Sequence, residues 1–275
     1  MNYKYLILAA IVAAVLLCQP APGLASILGS AESFGVLGGS MVTNTGSTTI
    51  LGNLGVSPTP AVTGFPPGLV SGTIYGGGAV AAQAQSDLTK AYNGLAAMPY
   101  TTDLSGHILG SAGYDTLTSG VYKFTSSAQL TGTLTLNAQG NNNAYWVFQI
   151  GSTLDTASGS VVQVINGGMG NGVFWQVGSS ATIGTGTAFE GNILADQSIT
   201  LGTGATILNG RALARIAAVT LDTNDIRTVC PNGGPGYSGG LGYDTYGAVV
   251  PIPEPATLAL LALGGIGLLA RRRRK

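Results

Sequence analysis

Charge is what this sequence has least of: Asp, Glu, Lys and Arg make up 8% of it, and the one histidine is His107. Cysteine is almost as scarce, with Cys18 and Cys230 alone. A charged, helix-rich composition is thereby excluded, and 44 glycines in 275 residues point instead to a β-rich, turn-dense fold. With residues 1–25 and 251–275 set aside, five basic and ten acidic residues remain and no basic cluster survives. The electrostatic footprint of a nucleic-acid-binding protein is missing. His107 has no partner thiol or Ser/Asp context near it, and Cys230 stands in a Gly/Pro-rich stretch, so neither reads as a catalytic group. The acids are scattered singly, without the clustered carboxylates calcium requires. Arg211 and Arg215 lack the acidic metal ligands a β-helical polysaccharide lyase would place beside them. The glycine-rich runs "GTGTAFEG" and "LGTGATILNG" lack the Lys-Ser/Thr of a phosphate loop. The expectation is a protein with no enzymatic activity, metal or cofactor.

Both termini read as sorting segments. Lys4 precedes an apolar run from Tyr5 to Leu17, and Gly23 and Ala25 are the small residues of a signal-peptidase site. Residues 1–25 are expected to be a signal peptide cut after Ala25; the run is short for a membrane span, which needs about 20 residues. Cleavage there leaves Cys230 as the one cysteine and no intramolecular disulfide. At the other end, "VPIPEPATLALLALGGIGLLARRRRK" places Pro253-Glu254-Pro255 before an apolar segment, 256–270, and a basic tail. A plain C-terminal transmembrane anchor with cytoplasmic arginines is one reading. The tripartite order also resembles the PEP-CTERM sorting signal of Gram-negative bacteria. That resemblance implies processing by an exosortase, transit through the inner membrane, and release to the cell surface or extracellular matrix. The stretch before it, residues 229–250, is Gly/Pro/Tyr-rich and aperiodic and is expected to be a flexible linker.

Within the body, "SATIGTGTAFEG", "SITLGTGATILNG" and "AVTLDTNDI" repeat one device. Anchored on Thr182, it recurs at Thr200 and Thr220 and, upstream, at Thr153, which gives an aliphatic column of Leu154, Ile183, Leu201 and Leu221. A hydroxyl column of Thr156, Thr185, Thr203 and Thr223 follows, and "QLTGTLTL" adds Thr131 or Thr133. Irregular repeats of short strands with glycine, asparagine or aspartate corners suit a β-solenoid, whose coils stack about 4.8 Å apart around an aliphatic interior. "GGAVAAQAQSDLTKAYNGLAAM" breaks the pattern: Val80, Ala84, Leu88, Ala91 and Leu95 fall at helical spacing. A helix over about 78–98 is expected to lie along one flank, and residues 26–228 to form one domain.

The threonines Thr131, Thr156, Thr185, Thr203 and Thr223 would make an uncharged rank of methyls and hydroxyls able to order water. Such a surface suits ice. Polar β-branched residues are also common on any solvated strand, so an adhesive or matrix protein binding polysaccharide or its own kind stands beside that reading.

"AESFGVLGGSMVTNTGSTTILGNLGVSP", "AVAAQAQSDLTKAYNGLA", "SGVYKFTSSAQLTGTLTLNAQG", "VFWQVGSSATIGTGTAFEGNILA" and "GRALARIAAVTLDTNDI", in that order, are similar to the microbial ice-binding protein family over about residues 29–228. The resemblance implies an all-β-dominated fold, a right-handed triangular β-helix with a long α-helix packed alongside, and an ice-crystal surface as partner. It also implies one flat ice-binding face bearing Thr-Ala/Gly-x-Thr/Asn motifs. "TGST" from Thr45 and "TGAT" from Thr203 match that motif in full; "TGTL", "TASG" and "TGTA" match its first half, and "TND" keeps its first threonine. The implied site is Thr131, Thr133, Thr156, Ser158, Thr185, Thr187, Thr203, Ala205, Thr206 and Thr223. If Phe189 and Ile207 point inward, Thr206 points outward and Thr203 needs a corner to do the same.

Overall fold

The computed structural model describes residues 26–168, 170–229 and 236–252. The expected cleavage site at Ala25, the Pro253-Glu254-Pro255 motif and the apolar segment 256–270 lie outside these residues. The strands are short and almost all parallel, and they surround one apolar interior on three sides. One side is an eight-stranded sheet. Its spatial order is Ala61–Thr63, Met41–Thr45, Val219–Asp222, Ile199–Leu201, Ala181–Ile183, Leu154–Thr156, Ala128–Leu130 and Ile108–Leu109. The other two sides are joined, because strands Ala188–Ala195 and Thr206–Ala214 pass round a corner without a break. The register between them shifts from Glu190 to Asn192 at that corner. A Cβ on Gly210 would sit 1.9 Å from the Gly191 carbonyl oxygen, so two coils can bend together there only as glycine on glycine.

Chain order and stacking order differ. Val42 pairs with Val219 and Thr49 with Asp225, so the first coils rest on the last ones. Helix α1, Gly78–Ala97, then takes the chain to the other end, where Thr102–Asp103 begins the coils that build back. Each coil delivers aliphatic side chains inward, among them Val42, Val219, Ile199, Leu134, Ile207 and Val36. An aromatic ladder runs through them: Phe148 and Trp175 stack at 3.9 Å between ring centres, with Tyr122 and Phe189 on either side. In-register parallel pairing produces that ladder, since Tyr122 faces Phe148 and Phe148 faces Trp175 on successive strands.

α1 lies on the sheet that contains Phe34–Gly38, Gly172–Val177 and Tyr145–Ile150. The expected helix is therefore present, with its narrow face made of Ala81, Ala84, Leu88, Ala91, Tyr92 and Leu95. Val80, expected on that face, is exposed, and Ala81 takes its place. Small residues are needed because the sheet answers with large ones: Leu37, Val121, Val147, Phe174, Leu194 and Leu213 point outward into a second apolar layer. Each such side chain contributes about 1.5–3 kcal/mol on burial. At the C-terminal end Gln149 Nε2 donates to the carbonyls of Leu95 and Met98, at 2.7 and 2.8 Å, which closes the helix ahead of Pro99.

The described part of the expected linker is ordered structure. Residues 236–240 run across the coils; the Asn192 amide donates to the Tyr237 carbonyl at 2.7 Å and the Ser238 hydroxyl to Glu32 at 2.6 Å. Leu241–Tyr243 and Val249–Pro251 then form an antiparallel hairpin on α1, with Leu241 and Val249 buried in the helix layer. The Tyr243 hydroxyl donates to the Ile27 carbonyl and its ring lies 4.1 Å below the Lys90 ammonium. Glycine here serves close approach rather than looseness. A Cβ on Gly172 would meet the Gly239 carbonyl oxygen at 2.0 Å, and one on Gly94 would meet the Val249 side chain at 2.5 Å. Composition cannot separate these two uses of glycine, and for that reason the described residues 236–250 depart from the expected flexible linker.

Candidate functional site: the threonine sheet

The eight-stranded sheet carries nothing over its outer side among the described residues. Its strands are three to five residues long, apart from the two-residue end strand Ile108–Leu109, so strict alternation assigns few positions to the outside. Pairing lines those positions up. Thr182 faces Thr200, Thr200 faces Thr220, Thr220 faces Thr43 and Thr43 faces Thr63, five threonines in one column across adjacent strands. The column continues through Asp155, Gln129 and Ile108 toward the other end. Neighbouring strands place its members about 4.8 Å apart. The hydroxyls of Thr43 and Thr220 touch at 3.4 Å.

A second row runs beside it, two residues earlier in each coil and so about 6.7 Å away along the strand. It includes Thr153, Ser180 and Ser198; Ser198 bonds Ser180 at 2.9 Å, and Thr153 bonds Ser127 at 2.9 Å. A third row lies on the other flank, where the chain turns toward the third side of the solenoid. Thr131, Ser158, Thr185, Thr203 and Thr223 occupy that edge and are exposed. Thr203 and Thr223 both donate to Asp222, which turns its carboxylate into an acceptor for the edge rather than a free charge. No lysine or arginine lies at an outward position of the sheet's described strands.

The residues expected as a site thus divide three ways. Thr131, Ser158, Thr185, Thr203 and Thr223 form the edge row. Thr133 and Thr206 lie on the third side, where Thr206 faces Ala188 and Thr133 faces Val161; Thr206 points outward while Phe189 and Ile207 are buried, as the alternation required. Thr156, Thr187 and Ala205 are buried and belong to no outer surface. For Thr156 the cause is register. Leu154 pairs with Ala181 and Asp155 with Thr182, so Thr156 lies beside inward Ile183 rather than matching Thr185. Its hydroxyl bonds Thr187 at 3.2 Å and accepts from the Gly184 amide at 2.8 Å, an internal pair that satisfies a solenoid corner. Ala205 fills the same corner one coil further, where Asn224 donates to its carbonyl at 2.9 Å.

The central column had a sequence signal, because Thr182, Thr200 and Thr220 anchor the repeat; that they form the outer column was not drawn from it. Thr43 and Thr63 had none, since they join the column only through the stacking of the first coils on the last.

The third side is less uniform. Its outward column reads Thr133, Val161, Ala188, Thr206, Asp225, Thr49 and Leu69. Asp225 is bound there by Arg227 at 2.6 Å, and Leu69 is 66% exposed. Glu190 is also on this side, accepting from the Val164 amide at 2.8 Å; burial pushes its carboxyl up to about 7. The His107 ring stacks on Tyr114 and is hydrogen-bonded to that hydroxyl at 3.1 Å.

Known proteins resemble this chain in sequence and in fold. A family model described as ice-binding-like matches residues 36–227, and one described as the PEP-CTERM protein-sorting motif matches residues 251–275. An ice-binding protein of Nostoc sp. (strain HG1) is 51% identical over 275 residues, covering 100% of this chain and 97% of that one. The crystal structure of an ice-binding protein from the Antarctic ascomycete Antarctomyces psychrotrophicus is similar with a TM-score of 0.69 and 42% identity, covering 74% of this chain and 98% of the other. A glycosylated ice-binding protein from an Arctic yeast is similar at a TM-score of 0.64 and 31% identity, covering 76% and 95%.

Proposed function

The chain belongs to the ice-binding-like family, and from that premise we propose that it adsorbs to ice through the threonine sheet and inhibits ice growth or recrystallisation. The supporting observation is the unbroken column Thr182, Thr200, Thr220, Thr43 and Thr63, bordered beside Thr182 and Thr200 by Ser180 and Ser198 and on the other flank by the edge row Thr185, Thr203 and Thr223. Each threonine offers a methyl and a hydroxyl at a position set by the backbone ladder. Water bound to such an array is ordered before ice arrives, so little ordering remains to be done on contact. Binding then comes from area and fit, and no residue performs a chemical step.

Short strands favour this use, because a three-residue strand has little length over which twist accumulates. The helix-covered side is unavailable, and the third side interrupts its hydroxyls with Asp225, Arg227 and Leu69. A polysaccharide partner would need another surface, since the threonine sheet has no outward aromatic ring for a sugar to stack on. Ahead of function the chain follows the export route its ends describe: signal peptidase acting after Ala25, passage through the inner membrane, and exosortase acting on the motif at Pro253-Glu254-Pro255.

The test compares Thr200→Tyr with Thr206→Tyr in an ice-recrystallisation and thermal-hysteresis assay, folding being checked by circular dichroism. Thr200→Tyr raises a ring in the middle of the column and is expected to remove most of the activity. Thr206→Tyr makes the same change on the third side and is expected to leave it near the parent level. Equal loss in both, or loss only in the second, overturns the assignment of the face.

A further inference from the structure

Beside the C-terminal end of α1, where the helix-covered sheet turns toward the threonine sheet, an open groove of about 580 Å³ remains. That volume lies within the ordinary range for ligand sites, about 300–1,000 Å³. Its lining includes the side chains of Tyr92, Met98, Tyr100, Lys123, Gln149 and Gln176. Phe124 and Ile150 contribute only backbone, because their side chains are buried in the solenoid interior. The floor is bare main chain at Gly151 and Gly178. A Cβ at Gly151 would lie 2.5 Å from the Thr125 carbonyl oxygen, and one at Gly178 equally close to that of Gly151. The coil turn itself thus requires an open floor.

The groups above it alternate in kind. Tyr100 is half exposed, with the Lys123 ammonium 4.7 Å from its ring centre. Gln149 uses its amide nitrogen on the helix carbonyls, and its amide oxygen accepts nothing from the described residues. Charges around the groove nearly balance: Asp103 stands beside Lys123, and Arg215, which lies over the Tyr92 ring, is paired with Asp196 at 2.5 Å.

We propose that this groove binds the pyranose units of a polysaccharide, at a site separate from the threonine sheet. A pyranose ring has a C–H face that stacks on an aromatic ring and a rim of hydroxyls that seek amides, ammonium and backbone groups. The groove holds that combination. A peptide is a poorer fit, because the strands beneath, Gly120–Phe124, Tyr145–Ile150 and Gly172–Val177, are paired in the stack and leave no free edge, and no apolar socket opens between them. A chain held at this corner would lie next to the threonine sheet without covering it, so one domain could hold matrix and ice together.

Calorimetric titration of the full-length protein with cellohexaose, and separately with hexagalacturonate, tests the site. Saturable binding of at least one is expected, weakened roughly tenfold in Tyr100→Ala and unchanged in Thr200→Tyr. Lys123→Met distinguishes the sources: selective loss of hexagalacturonate binding identifies an acidic chain, and equal behaviour toward both identifies a neutral one. Tyr100→Ala is expected to keep its effect on ice, which separates this site from the ice face. No saturable binding of either oligosaccharide by the folded protein overturns the proposal. So does binding that Tyr100→Ala and Gln176→Ala both leave intact.

Discussion

The threonine sheet and the helix-covered sheet are built by the same coils, yet their outer sides have opposite fates. Inward, both face one interior, the threonine sheet with aliphatic side chains and the helix-covered sheet with aliphatic and aromatic ones. Outward, one offers Thr182, Thr200, Thr220 and Thr43, and the other offers Phe174, Leu194, Leu213 and Leu37. The second set is stable only under a cover, which α1 and the 241–251 hairpin provide. The first needs no cover, because each hydroxyl remains hydrated and each methyl is small. One fold can therefore make one side part of its core and keep another free for a surface partner, by outward residue choice alone.

Breaking the covered side has the largest expected effect. Phe174→Ala removes a fully buried ring between the helix and its sheet and is expected to cost about 3–5 kcal/mol in a urea unfolding titration. A loss below 1 kcal/mol would mean that the helix layer is not part of the cooperative core. A smaller effect is expected from Gly94→Leu. The added side chain meets Val249, so the hairpin must lift, at about 1–3 kcal/mol and with faster proteolysis within residues 241–251. Protection equal to the parent would contradict the close approach.

The third side sharpens the comparison most gently, through pH. The folded-state carboxyl of Glu190 is raised from 4.5 to about 7, so the native state favours its protonated form. The contribution is fully present below the unfolded value and is lost as pH rises through about 7. Glu190→Gln keeps the hydrogen-bonding shape without the charge and is expected to flatten the fall in thermal stability over that window. An identical pH profile in the variant would show that Glu190 ionises without cost in the folded protein.

Much of this was legible beforehand. The repeat anchored on Thr182, Thr200 and Thr220, the aliphatic column from Ile183 through Leu201 to Leu221, and the helix near 78–98 all come from local periodicity; Leu154, expected in that column, pairs instead with Ala181. The site was only partly legible. Thr156 shares parity with Leu154 on one strand and is buried with it, although its neighbours in sequence suggested an exposed column. Thr187 and Ala205 follow the edge threonines closely, yet the corner turn folds them inward. The hairpin at 241–251 was hidden because glycine-rich sequence signals both loose chain and tight contact.

The sequence by itself determined the solenoid character, the alternation within each strand and the low charge of the surface, because these depend on residues a few positions apart. The tertiary structure alone decided which threonines stand together. Thr43 comes within hydrogen-bonding reach of Thr220 across 177 positions of chain because the first coils stack on the last. That contact is set by how an open coil end is covered, a property of the whole stack that no local pattern records.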